Sequence, residues 1–315
     1  MSLRVIAPGF LTTVQDEGRA GYERFGVPAS GPMDWFALRA GNRLVGNDPG
    51  AAGLEFALEG PAFEADRDVL IAVTGRGFRL WVQGRRIGLW MAAWARRGER
   101  IEVRAEGGGR WGCLAVAGGI ATPPLMGSRS TYLRGGFGGL EGRALQAGDS
   151  LPLGEGPTLR EIRRLAGRRL LPENLPPYAD EVTVPVVLGP QRAYFSETAV
   201  QTFLSAAYTV TAASDRMGYR LDGPPLERVI RSELLSEGMP AGSVQVPAGG
   251  QPVMMMADRP TTGGYPKIGV VARAGLPLAA QVPLGAGRVR FVEVSAAQAQ
   301  AAYRAMLVQI EQGME

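Results

Sequence analysis

The stretch FRLWVQGRRIGLWM, residues 78–91, decides how the chain is read. Phe78, Leu80 and Val82 alternate with Arg79, Trp81 and Gln83, the period of two that turns one face of a strand inward. Gly84-Arg85-Arg86 reads as a turn, and Ile87, Leu89 and Met91 resume the alternation, so the segment is expected to be a β-hairpin. Around it lie 45 glycines and 23 prolines among 315 residues, roughly twice the usual share, which favours short strands and turns over long helices. The expected fold class is mainly β with a few helices.

Three segments carry helical spacing instead. Pro32 suits a first helical position and Asp34 complements a helix N-terminus, while Met33, Phe36, Ala37, Ala40 and Leu44 recur on one face before Gly46. A second helix is expected from Phe195 to Ala206. A third begins at Ser295, which has capping-box spacing to Gln298 and an inward stripe of Ala299, Tyr303, Met306, Leu307 and Ile310.

A chain of this length fits about two domains at ~150 residues each. The cluster Arg160, Arg163, Arg164, Arg168 and Arg169, followed by PENLPPY, reads as an interdomain linker. The expected division is a β-rich domain over 1–170 and another, with the terminal helix, over 171–315. AGDSLPLG near the end of the first and LGAGRVRFVEV near the end of the second each present a glycine turn feeding an amphipathic strand.

Histidine is absent, which removes Ser-His and Cys-His dyads and histidine-based zinc sites. The single cysteine, Cys113, lies in the apolar run 112–117 and reads as a small buried hydrophobe. A net charge of +4 is spread among dispersed arginines without interleaved aromatics, so no nucleic-acid partner is expected. No secretory leader or membrane-length apolar run is evident, and the default compartment is the cytoplasm. Lys267, the one lysine among 34 basic residues, follows Pro266, so no Walker A loop is present. Met254-Met255-Met256 has no neighbouring biotin-accepting lysine either.

The chemistry left to carboxylates, hydroxyls, Arg and Lys concentrates in four segments. In VMMMADRPTTGGYPKIGVV (253–271), two apolar strands flank a turn carrying Asp258, Arg259, Thr261, Thr262, Tyr265 and Lys267, read either as a site or as an ordinary hairpin turn. In GSRSTYLRGGFGG (127–139), Arg129 and Arg134 frame Ser128, Ser130 and Thr131, a set suited to a carboxylate or phosphate or to a solvated glycine turn. Between Asp16 and Asp34, a helix start at Ser30-Gly31-Pro32 offers an anion site or simple capping. In 213–224, Arg216 and Arg220 are expected on one strand face, and Gln245 in SVQVPAGGQP is an amide contact; structural roles compete for both.

TTVQDEGRAGYERFGVPASGPMD, LVGN, GGIATPPLMGSRST, SDRMGYRLDGP, SVQVPAGGQP and ADRPTTGGYPKIG, in this order, resemble the carboxyltransferase-like family. That family includes allophanate hydrolase subunit 2, the C subunit of the prokaryotic 5-oxoprolinase, and a sporulation-kinase-inhibitor antagonist. The resemblance implies two cyclophilin-like β-barrel units. It also implies a partner, the kinase-inhibitor-like B subunit of 5-oxoprolinase, with its A subunit completing an enzyme that consumes ATP to open 5-oxo-L-proline, a small-molecule amide.

Only the second-subunit portion is recognisable in the chain. On this reading Arg129, Arg216, Arg259 and Lys267 stabilise anions, and Asp258 or Asp16 activates water or holds a metal. Ser130, Thr261, Thr262 and Tyr265 orient substrate, with Thr131, Gln245 and Ser30 as further contacts. No fixed set of metal ligands is expected in this chain. ATP with Mg²⁺ is expected, held mainly by the partner, and no biotin is attached here. The alternatives are a biotin-dependent carboxyltransferase component and a non-catalytic regulatory partner.

Overall fold

The computed structural model describes residues 2–315 except 231 and 233. It divides into two compact units: one holds residues up to Arg19, Ser30–Leu175 and Val308–Glu315, the other Ala20–Ala29 and Pro176–Leu307.

In the first unit, among the described residues, the strands are β1 (Ser2–Ala7), β2 (Leu11–Gln15), β3 (Gly53–Ala57), β4 (Ala62–Ala65), β5 (Val69–Gly75), β6 (Phe78–Val82), β7 (Arg85–Ile87), β8 (Ala92–Ala95), β9 (Arg100–Ala105), β10 (Trp111–Val116) and β11 (Ser150–Pro152). They form two sheets, β11-β1-β4-β9-β6-β7 and β2-β3-β10-β5-β8. Side chains of both sheets, among them Val5, Phe56, Phe63, Ile71, Phe78, Leu80 and Leu114, meet in one core. Phe56 and Phe78 pack edge to face with centroids 4.9 Å apart. Gly112 makes that fit possible, because a Cβ there would lie 2.3 Å from the Phe56 ring. Cys113 is fully buried in β10, as expected.

The 78–91 hairpin is present, with Leu80 opposite Ile87 and Val82 opposite Arg85. Its turn is Gln83-Gly84, one residue earlier than the sequence reading, and both residues are left-handed at φ 46° and 74°, the pair that a two-residue hairpin of right-handed twist requires. The strand stops at Ile87, and Trp90 instead donates its backbone N–H to Val73.

Helix α1 (Trp35–Leu44) starts later than Pro32 suggests: Asp34 is the N-cap, its carboxylate accepting the Ala37 N–H at 2.9 Å. It lies close to the sheet, since a Cβ on Gly41 would be 3.2 Å from that of Ala115. The arginine cluster is folded chain and not a linker. Thr158 and Glu161 form a full capping box for α2 (Leu159–Leu165), whose Ile162 is buried with Leu44, Leu70 and Ala115.

The second unit, among the described residues, contains β12 (Glu181–Leu188), β13 (Tyr208–Val210), β14 (Gly218–Asp222), β15 (Glu237–Gly238), β16 (Ser243–Gln245), β17 (Val253–Met255), β18 (Thr262–Gly263), β19 (Lys267–Val271) and β20 (Arg288–Glu293). Seven of these close a barrel in the order β12-β19-β16-β17-β14-β13-β20, and β15 pairs with β18 outside it. Closure comes from β12 and β20 running parallel over six residue pairs, which removes the exposed edges an open sheet would leave. Val184, Val244, Tyr219 and Phe291 fill the interior.

Helix α3 (Glu197–Ser205) is capped by Ser196. The short α4 (Leu276–Ala280) and the long α5 (Ala296–Gln312) follow. Ser295 and Gln298 exchange the expected capping bonds, at 2.8 and 3.2 Å. The stripe of α5 is half-buried at Tyr303, Met306 and Leu307 and fully buried at Ile310, while Ala299 is half-buried at its start. No helix among the described residues is long and apolar enough to cross a membrane.

Candidate functional site

The polar residues singled out by sequence fall into two constellations, one in each unit. In the first unit Asp16, just past β2, is a buried carboxylate that organises the 127–131 loop. Its Oδ1 accepts the Ser128 hydroxyl at 2.5 Å and the Ser130 hydroxyl at 2.7 Å, and its Oδ2 accepts the Arg129 N–H at 2.5 Å. Gly18 N–H adds a fourth donor at 2.9 Å. Charge-assisted bonds of this kind are strong, and here they fix a loop.

Thr131 is turned inward and donates its hydroxyl to Val14 O at 3.0 Å. Arg129 is half-buried, with Nε on Thr122 O at 2.7 Å, whereas Arg134 is exposed. Arg19 is fully buried, bonded to the Ser30 hydroxyl and the Ser130 carbonyl and lying over the Phe137 ring at 5.0 Å. Ser30 and Gly31 both adopt left-handed backbone, φ 56° and 91°. Since α1 begins only at Trp35, Ser30 belongs to this loop network and does not cap a helix.

In the second unit the 258–267 turn and its neighbours come together. Asp258 is held by Arg216, Nε to Oδ2 at 2.8 Å and Nη2 to Oδ1 at 3.2 Å. Arg216 precedes β14 and is buried, while Arg220 lies on the exposed face of that strand, so the two arginines do not line a common groove. Arg259 is half-buried with Nε on Met239 O at 2.7 Å. Burial pushes its guanidinium below the ordinary arginine value, against the opposing pull of the Glu23 and Asp258 charges.

Lys267 opens β19 at a bulge: Val244 faces Gly269, but the next residue, Gln245, faces Lys267 and not Ile268. Bulges re-aim side chains at such positions. The buried ammonium pairs with Glu237 of β15, whose side chain is 40% exposed against 5% for Lys267. Gln191 donates to the same Glu237 Oε1 at 2.7 Å and accepts the Lys267 backbone N–H at 3.4 Å. Buried Gln245 donates to Tyr265 O at 3.2 Å, and Gly263 leaves room for it, since a Cβ there would lie 2.6 Å from Gln245 Nε2. Thr261 is half-buried, with its carbonyl on Met239 N–H at 3.0 Å. Thr262 and Tyr265 are exposed.

The cluster therefore offers a buried ammonium reached through a half-exposed carboxylate, a partly desolvated guanidinium, an amide and exposed hydroxyls, a set suited to an anionic polar ligand. Nothing in the sequence singles out Glu237 or Gln191. Glu237 is one acid among 30, and only the β15–β18 pairing and the turn after β12 bring the two residues to Lys267. Among the described residues no group of three or more His, Cys, Asp or Glu is placed to hold a metal.

The family described as carboxyltransferase domain, subdomain A and B, matches residues 25–293. The chain belongs to this family. This carboxyltransferase domain is 39% identical over 298 residues to the C subunit of 5-oxoprolinase from Escherichia coli, covering 94% of the chain and 93% of that protein. It is 32% identical to urea amidolyase of Saccharomyces cerevisiae, covering 93% of the chain and 17% of the much longer enzyme. The solved structure of Kluyveromyces lactis urea amidolyase superposes with a TM-score of 0.89 at 30% identity, over 98% of the chain and 20% of that protein.

Proposed function

We propose that this carboxyltransferase domain is one component of an ATP-dependent 5-oxoprolinase, acting with partners of the B and A kinds to hydrolyse 5-oxo-L-proline to L-glutamate. The observation that carries the reading is the likeness to the Escherichia coli 5-oxoprolinase component, which spans 93% of that relative. The likeness to urea amidolyase spans 17%.

A lactam carbonyl is a weak electrophile. Transfer of the ATP γ-phosphoryl to the amide oxygen activates the carbon: water adds to it, the tetrahedral adduct expels the ring nitrogen as the amine to leave an acyl phosphate, and a second water cleaves that acyl phosphate to the carboxylate and inorganic phosphate. Such a path calls for positive charge beside the phosphoryl and carboxylate oxygens. In this chain Lys267 and Arg259 supply it. Thr261, Thr262, Tyr265 and Gln245 orient the substrate.

Asp258 and Asp16 are occupied by donors of their own chain, and so are assigned to hold Arg216 and the 128–131 loop in place and not to activate water. Arg129, Ser130, Thr131 and Ser30 complete that second scaffold. The residues described do not gather a carboxylate set for Mg²⁺, and the lone Lys267 lies outside any P-loop, so the nucleotide and its metal are assigned to the partner subunits.

The test is co-purification with the products of the neighbouring genes, followed by ATP hydrolysis assayed with and without 5-oxo-L-proline. Substrate-dependent hydrolysis supports the reading, and an assembled complex that ignores 5-oxo-L-proline contradicts it. The TM-score of 0.89 with urea amidolyase favours carboxyl transfer from a biotin carrier on another chain as the second reading. Biotin-dependent exchange of labelled bicarbonate would distinguish it.

A further inference from the structure

The Lys267 side chain is 5% exposed, and a cation taken that far out of water needs a counter-charge and a full set of acceptors. Glu237 supplies the charge. It does so from a two-residue strand held outside the barrel by Gly263 opposite Glu237 and Thr262 opposite Gly238. Gln191 locks the carboxylate from the other side through Glu237 Oε1 at 2.7 Å. The turn bearing Gln191 is pressed against Lys267, since a Cβ on Gly189 would lie 2.4 Å from the Lys267 carbonyl oxygen. The bulge between β16 and β19 completes the arrangement by setting Lys267 opposite Gln245.

We infer that Glu237 is the positioning residue of Lys267: with Gln191 it holds the buried ammonium in place at the bulge opposite Gln245. The inference rests on the reading of Lys267 as a member of the site. Glu237 does not touch the reacting atoms itself. It sets the position of the group that does.

Lys267 is the one lysine in the chain, so acylation by an amine-selective reagent, mapped by peptide mass spectrometry to separate it from the N-terminal amine, reads this single group in the full chain without any activity assay. Without the carboxylate the amine is no longer tethered to β15 and is free to reach the reagent. Glu237→Gln, which removes the charge that holds the amine against β15, is expected to raise the labelling rate of Lys267 severalfold. Glu237→Asp, which keeps the charge on a shorter stem, is expected to fall between the two. Glu293→Gln, on an exposed acid of β20, is the control and leaves the rate unchanged.

In the assembled complex Glu237→Gln is expected to lower turnover, and Glu237→Asp to restore part of it. Labelling unchanged by Glu237→Gln overturns the inference. Labelling that rises while Lys267→Ala retains full turnover leaves the pair standing and removes it from the site, so the two failures are told apart.

Discussion

Arg216 and Asp258 meet as a two-point ion pair shielded from water, with 7% and 6% of their side chains exposed. The Asp258 N–H also donates to the Arg216 carbonyl at 2.8 Å, so backbone and side chains together tie the start of β14 to the turn after β17. A buried pair costs much in desolvation, and losing one partner leaves the other charge stranded.

Arg216→Ala and Asp258→Ala are each expected to destabilise by about 3–5 kcal/mol, a fall of about 10 °C in Tm. The double change Arg216→Met with Asp258→Leu is expected to recover more than half of that loss. Thermal unfolding followed by circular dichroism measures all three, and single variants that melt like the parent would contradict the assignment.

Asp16→Ala strips acceptors from the Ser128 and Ser130 hydroxyls and the Arg129 and Gly18 N–H groups. Each buried polar group left unsatisfied costs about 1–3 kcal/mol. Faster amide exchange confined to 127–139 and 15–19 is expected, with the β5 and β10 amides still protected. Exchange unchanged in the 127–139 loop would refute its dependence on Asp16.

Tyr208 in the barrel unit is pushed up to about 12 by burial. A group raised in the folded state contributes fully below its unfolded value, near 10, and loses that contribution as pH climbs through the folded value. Stability is therefore expected to fall between about pH 10 and 12, and Tyr208→Phe flattens the fall. Urea titrations at about pH 8 and about pH 11 decide it: parallel losses in both proteins would exclude Tyr208 as the cause.

Period-two alternation exposed the 78–91 hairpin because one face of β6 is buried and the other is not. The polar heads of 258–267 stood out because so many chemical types crowd one turn. What stayed illegible depends on chain segments distant in sequence. Glu237 and Gln191 look like any surface acid and amide until barrel closure and the β15–β18 pairing bring them to Lys267. The linker reading of Arg160–Arg169 failed because a short amphipathic helix with one buried residue, Ile162, gives little periodic signal. Segment 20–29 joins the second unit without any compositional mark. Asp16 read as chemistry because a carboxylate near serines looks the same in sequence whether it acts on substrate or secures a loop.

The most direct test of the functional account is L-glutamate release from 5-oxo-L-proline by the reconstituted complex, with and without ATP, for the parent chain and for Lys267→Ala. The expected result is ATP-dependent glutamate with the parent and a loss of about a hundredfold with the variant, the scale of removing one preorganised charge donor. Full turnover by Lys267→Ala, or no glutamate from a properly assembled parent complex, would contradict it.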